Sequence, residues 1–272
     1  MRARMRAALL VMVGVGVVSP AARSEPPTPD QFHSAEGLLG ALEDAGREIS
    51  TLQAGVRYIR RMVLQGDEQT REGRLFFEQS PREDGARPAR RFAVEFETLY
   101  VGGRRERDRQ AWVFDGRWLI ERRPDQKQYV ARELAPTGEE IDPLRLGEGP
   151  MPIPIGQRAA DVLARFDAAL VNPHNGLESE SGSVQEFVAD TWQLRLTPRE
   201  AFAEESEFAE VRLWYDRESL LPRLAKTIDR DGDEAFVMLV ALRVNQPIDT
   251  GVFVTKPPGK DWDVQIEEYR GR

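Results

Sequence analysis

Large apolar residues alternate with polar ones over most of the chain. In Phe92-Ala93-Val94-Glu95-Phe96 every second side chain is bulky and apolar, the period of a strand with one buried face. The same alternation recurs in Leu75/Phe77, Trp112/Phe114, Trp118/Ile120, Trp192/Leu194/Leu196, Val211/Leu213/Tyr215 and Phe236/Met238/Val240. Asp115-Gly116 separates residues 112–114 from 118–120, and Asp231-Gly232 separates residues 224–228 from 236–240. Both dipeptides suit the positive φ of a tight hairpin turn. Consecutive hairpins predict an antiparallel meander whose apolar face must meet a core or a cavity.

Two stretches carry the helical period instead. Ser34 is placed to cap a helix in which Leu38, Leu39, Leu42, Ala45, Ile49 and Leu52 share a side. Residues 157–170 hold Ala159, Val162, Leu163, Phe166 and Leu170 as a stripe against Arg158, Asp161, Arg165 and Asp167. The run 149–156 before it is extended, because its prolines remove the donors a central strand needs. An apolar extended strip and an amphipathic helix thus lie between two sets of strands.

The N-terminus changes the setting. Residues 1–22 read as a secretory signal peptide: Arg2, Arg4 and Arg6 precede the apolar run from Ala7 to Val18, and Ser19-Pro20-Ala21 offers small residues for cleavage. That run is shorter than the about 20 residues a membrane span takes. The expected order is a leader at 1–22, a Pro-rich linker at 23–33, one folded domain at 34–265 and a tail at 266–272. The mature protein is expected outside the cytoplasm, exported by a cleaved Sec-type leader. With no cysteine in 272 residues, disulfides and a cysteine-borne lipid anchor are excluded. Net charge is −8, and loss of the three leader arginines takes it to −11, a balance that disfavours nucleic acid.

Candidate chemistry is sparse. His33 and His174 are the two histidines and no thiol accompanies them, so neither a metal centre nor a nucleophile-base pair is expected. Asp229-Arg230-Asp231-Gly232-Asp233 superficially matches a calcium loop, but its glycine comes one place early and Val240 stands where the bidentate glutamate belongs, so it reads as a hairpin turn. Carboxylates are many, yet no spacing singles out an acid-base pair. The reading is therefore of a protein that is not an enzyme, with no catalytic residue, metal or cofactor. Arginines cluster at 87–91 and 104–109, as solvated strand ends or as contacts to anionic headgroups or a partner protein.

Three stretches then add a resemblance. Trp112-Val113-Phe114-Asp115-Gly116-Arg117-Trp118-Leu119-Ile120 forms a strand, Asp-Gly turn, aromatic strand hairpin. Phe208-Ala209-Glu210-Val211-Arg212-Leu213-Trp214-Tyr215-Asp216, with Leu221-Pro222-Arg223-Leu224, forms a late hairpin. Leu242-Arg243-Val244-Asn245-Gln246-Pro247-Ile248-Asp249, Phe253 and Lys256-Pro257-Pro258-Gly259 form an ending. In this order they resemble the periplasmic lipoprotein carriers of the LolA family.

The resemblance implies a mainly β (α+β) fold: an open, incomplete antiparallel barrel with helices as a lid over a hydrophobic cavity. It implies a carrier that shields acyl chains of lipoproteins or lipids, loaded by an inner-membrane ABC transporter and emptied at an outer-membrane receptor. The lining residues it implies are Val94, Phe96, Trp112, Phe114, Trp118, Ile155, Leu163, Phe166, Trp192 and Leu194. In the family a strand arginine beside a proline latches the lid. Arg87 takes that place here, with Arg90 and Arg91 close behind, although residues 78–86 are inserted before it. The implied protein is a monomer. Two other readings stand beside the carrier. A periplasmic sensor of lipid or lipoprotein normally carries a further domain, whereas this chain stops at Arg272; a secreted hydrolase needs a polar cleft with paired carboxylates or an activated serine.

Overall fold

The computed structural model describes residues 32–80, 89–136, 155–257 and 259–269. Helix α1 (Ala35–Arg47) comes first, with Ser34 Oγ accepting from the Gly37 amide at 3.1 Å as its cap. Strands β1 (Thr51–Met62), β2 (Asp67–Ser80), β3 (Ala89–Val101), β4 (Arg104–Phe114), β5 (Trp118–Arg123) and β6 (Gln128–Glu133) follow as a meander. Helix α2 (Ala159–Arg165) leads directly into β7 (Phe166–Val171). Helix α3 (Gly182–Val188) precedes β8 (Thr191–Pro198), β9 (Phe208–Asp216), β10 (Pro222–Asp229) and β11 (Glu234–Val244), and β12 (Asp263–Glu267) closes the described chain.

All twelve strands form one sheet in the order β12-β6-β5-β4-β3-β2-β1-β11-β10-β9-β8-β7. The two meanders join where β1 pairs with β11, and the ends β12 and β7 do not meet, so the sheet is an open, incomplete barrel. Neighbours are antiparallel except β12, which lies parallel to β6. Bulges between Glu72/Gly73 and between Phe96/Thr98 bend the long β2–β3 ribbon. Gly73 is required at the first: a Cβ there would sit 1.9 Å from the Glu95 carbonyl oxygen.

Each face of the sheet has its own cover. Leu52, Val56, Leu75, Phe77, Phe92, Val94, Phe114, Leu194, Val211 and Leu239 point to the concave side, where they pack with Leu38, Leu39 and Leu42 of α1 and Val162 of α2. On the convex side, Ile59, Trp214, Leu224 and Phe236 pack with Leu177 and Val188, beneath α3 and the loop before it. Phe76, Val113, Ile120 and Tyr129 form a second convex cluster under Phe253, part of a 3-10 turn at Thr250–Phe253.

Three sequence expectations change here. The helix expected at 157–170 ends at Arg165, and Phe166 begins β7, paired with Pro198. Phe166 and Leu170 stand four apart, a spacing that suits a helical stripe and strand alternation equally. Ile49 and Leu52 fall beyond α1; Ile49 is buried in the connection and Leu52 is the second residue of β1. Strand β12 runs across the boundary expected at 265/266. The Asp229–Asp233 turn is a hairpin: Asp229 Oδ1 accepts from the Asp231 and Asp233 amides, each at 2.9 Å. No described helix is long and apolar enough to cross a membrane.

Candidate functional site

The concave face is lined by aromatic groups set by strand register. Phe92 stacks on Phe114 with ring centres 5.8 Å apart. Toward the other end of the strands, Phe96 meets Trp112 edge-on at 5.5 Å, and Tyr58 touches both, at 6.2 and 6.1 Å. Burial pushes the Tyr58 phenol above its ordinary value, against the opposing pull of Arg60 and Arg71. Phe32, ahead of α1, packs edge-on against Trp192 at 5.4 Å. The indole N–H of Trp192 is buried and has no acceptor among the described residues.

Of the residues selected from sequence, Val94, Phe96, Trp112, Phe114, Ile155, Leu163, Phe166, Trp192 and Leu194 belong to this one cluster. Trp118 lies on the opposite face, against Ile120 and Val113. Register is the reason: Phe114 pairs with Leu119, so Leu119 points inward and its neighbour Trp118 outward. Tyr58 was missed, although Leu52, Ala54, Val56 and Tyr58 alternate cleanly; counting Leu52 with the helix concealed the strand.

Polar ties join the cover over this face to the sheet, and at the far end of α2 the Arg199 amide donates to the Arg165 carbonyl at 2.9 Å. The amide group of Gln79, on β2, donates to the Gly46 carbonyl in the last turn of α1 at 2.8 Å. Asn245, at the end of β11, donates to the Glu48 carbonyl at 2.9 Å and accepts from the Ser50 amide at 2.8 Å. Arg90, on β3, donates to the Gly156 carbonyl at 2.7 Å, just before α2. Glu43 of α1 accepts from the Ala159 amide at 2.9 Å and so caps α2. Gly156 has φ +60°, and a Cβ on Gly46 would lie 2.6 Å from the Gly156 Cα, so the last turn of α1 meets the segment before α2 through these glycines.

Arg87, the expected latch, lies outside the described residues, as do residues 149–154 of the extended strip. Arg91 turns away: it pairs with Glu78 at 2.7 Å and covers the Phe253 ring on the convex side. In the other arginine cluster, Arg109 pairs with Asp125 at 2.5 Å while Arg104, Arg105 and Arg107 stay exposed. His33 is exposed, and His174 Nδ1 sits 2.7 Å from Gln185 Oε1 in a convex loop. Among the described residues, no group of three His, Cys, Asp or Glu is placed to hold a metal ion.

No family model and no curated protein matches the sequence. Solved structures do resemble the fold. An uncharacterised conserved protein from Thermus thermophilus is 16% identical over 86% of this chain and 99% of its own, with a TM-score of 0.45. A chain of the MucA/MucB complex of Pseudomonas aeruginosa is 19% identical over 80% of this chain and 60% of its own, TM-score 0.39. A LolA superfamily protein from Nitrosomonas europaea is 12% identical over 82% and 98%, TM-score 0.35.

Proposed function

We propose that this protein is a periplasmic carrier that shields the acyl chains of lipoproteins or lipids on its concave face and moves them from inner to outer membrane. One observation carries the reading: a wide apolar sheet face is covered by α1 and α2, and the described polar ties from the sheet to α1 gather at its C-terminal end. In this reading α1, tied in this way, pivots without breaking the sheet. Each methylene that enters contributes about 0.8 kcal/mol. A full acyl chain therefore repays the opening of a few hydrogen bonds of about 1–3 kcal/mol each.

The mechanism is sequestration, with no bond made or broken. Arg90 is the latch in this reading, because its guanidinium holds the segment that enters α2. Release needs no nucleotide: a carrier that spends part of its binding energy on opening holds cargo loosely enough for the next acceptor to win. An ABC transporter and an outer-membrane receptor are the partners this role calls for.

Native mass spectrometry of the full-length chain, expressed in a diderm host and purified without detergent, tests the reading. It predicts co-purified acylated species that disappear in Trp112→Glu and Leu163→Glu, two half-buried positions where a carboxylate leaves the deeper core intact. An empty wild-type protein, or cargo retained in both variants, contradicts it.

A further inference from the structure

The concave face is not apolar throughout. Glu121 pairs in register with Trp112, and Arg132 with Leu119, so both continue the apolar face across β5 and β6. Arg123 opposite Gln128, Val130 opposite Glu121, and Asp263, Gln265 and Glu267 of β12 extend the same face to the sheet edge. Between them lies a groove of about 160 Å³, lined chiefly by Glu121, Arg123, Gln128, Arg132, Asp263 and Gln265. Moving outward from Trp112, the wall thus changes from aromatic to charged within one strand spacing.

The charges in the groove pair with one another. Glu121 receives Arg123 at 2.7 Å and Arg132 at 3.7 Å, as well as the Gln110 amide at 2.8 Å. Arg132 also reaches Glu267 at 3.0 Å. Both arginine side chains keep over two-fifths of their surface exposed, so an incoming phosphate reaches them from solvent, while the Glu121 they share is 16% exposed. A free anion would meet three carboxylates, Glu121, Asp263 and Glu267, beside two guanidiniums. A neutral headgroup would use neither sign. A phosphate joined to an ammonium uses both, with the phosphate on Arg123 and Arg132 and the ammonium on the carboxylates they release.

We infer that the β5–β6–β12 end of the concave face is a shelf for a zwitterionic phospholipid headgroup. The acyl chains run from it beneath the cover toward β1. That path crosses five strand spacings, roughly 24 Å measured along the sheet. The inference rests on the carrier reading and narrows its ligand to an amphiphile with phosphate and amine.

The test is a calorimetric titration of the full-length chain with three soluble dihexanoyl lipids: phosphatidylethanolamine, phosphatidylglycerol and diacylglycerol. The shelf predicts that phosphatidylethanolamine binds about tenfold more tightly than diacylglycerol, and more tightly than phosphatidylglycerol. In Arg123→Gln/Arg132→Gln the advantage falls to within about twofold while diacylglycerol affinity stays as in the wild type, which also reports that the double variant is folded. Single Arg123→Gln, at the more exposed site, loses part of the advantage. Equal binding of all three lipids, preference for phosphatidylglycerol, or an advantage that survives the double variant overturns the shelf and leaves the carrier standing. Binding of none overturns both.

Discussion

The loop at Asn172–Glu180 on the convex face and the helices on the concave face are both covers, and they are fastened differently. Side chains from four strands reach out to the convex loop along its length. Trp214 donates to the Pro173 carbonyl at 2.7 Å, Gln193 and Arg212 to that of Asn175 at 2.9 and 3.0 Å, and Lys226 to that of Gly176 at 3.2 Å. Arg61 closes the row on both oxygens of Glu180. On the concave side the described ties from the sheet to α1 fall at Gly46 and Glu48. Ties spread along a segment hold it still, whereas ties gathered at one end leave a lever. The convex loop is therefore held along its length, and α1 on the other face at its C-terminal end.

Breaking the fixed cover has the largest effect. Trp214 is fully buried and both packs and anchors the loop, so Trp214→Ala costs about 3–5 kcal/mol in urea unfolding, with ligand binding by the folded fraction unchanged. Losing the latch costs less and acts elsewhere. Arg90→Gln lowers stability by about 1–3 kcal/mol and speeds amide exchange in Gly156–Arg165, leaving Leu177–Val188 as protected as before.

Acid separates the covers as well. The hydrogen-bonded guanidinium of Arg61 holds the Glu180 carboxyl below its ordinary value, in opposition to partial burial. A depressed carboxylate stabilises the fold above its unfolded value of about 4.3, and that contribution is lost as pH falls through the lower folded value. Exchange mapped from pH 6 downward thus shows the convex loop loosening below about pH 4, and Glu180→Gln flattens that dependence. The smallest effect is at the α2 cap: Glu43→Gln costs about 0.5–1 kcal/mol, read as a small drop in melting temperature with no change in the convex loop.

How much of this was legible in sequence follows from period. Alternation marked the concave wall well, because a half-buried strand reveals which residues share a face even when its partners are unknown. It could not say which face. Phe236 and Met238 alternate as cleanly as Val211 and Leu213, yet they point to the convex side, and Trp118 went astray for the same reason. Facing is decided by pairing register, which a single strand does not contain. The clasp was hidden more deeply. Gln79, Gly46, Asn245 and Gly156 are far apart in sequence and use backbone carbonyls, which leave no residue signature. Asn245 did fall within the stretch that resembled the family ending, and its role in stitching α1 to the sheet gives that stretch a physical meaning. Strand β12 was missed because it pairs in parallel with β6 after a long return, a connection no local turn signal announces.

Hydrogen exchange of the full-length protein with and without a bound diacyl ligand tests the hinged cover most directly. The account predicts that ligand changes protection in Ala35–Arg47 and Ala159–Arg165 and leaves Leu177–Val188 untouched. Equal change in both covers, or none in α1 and α2 while ligand is bound, would contradict it.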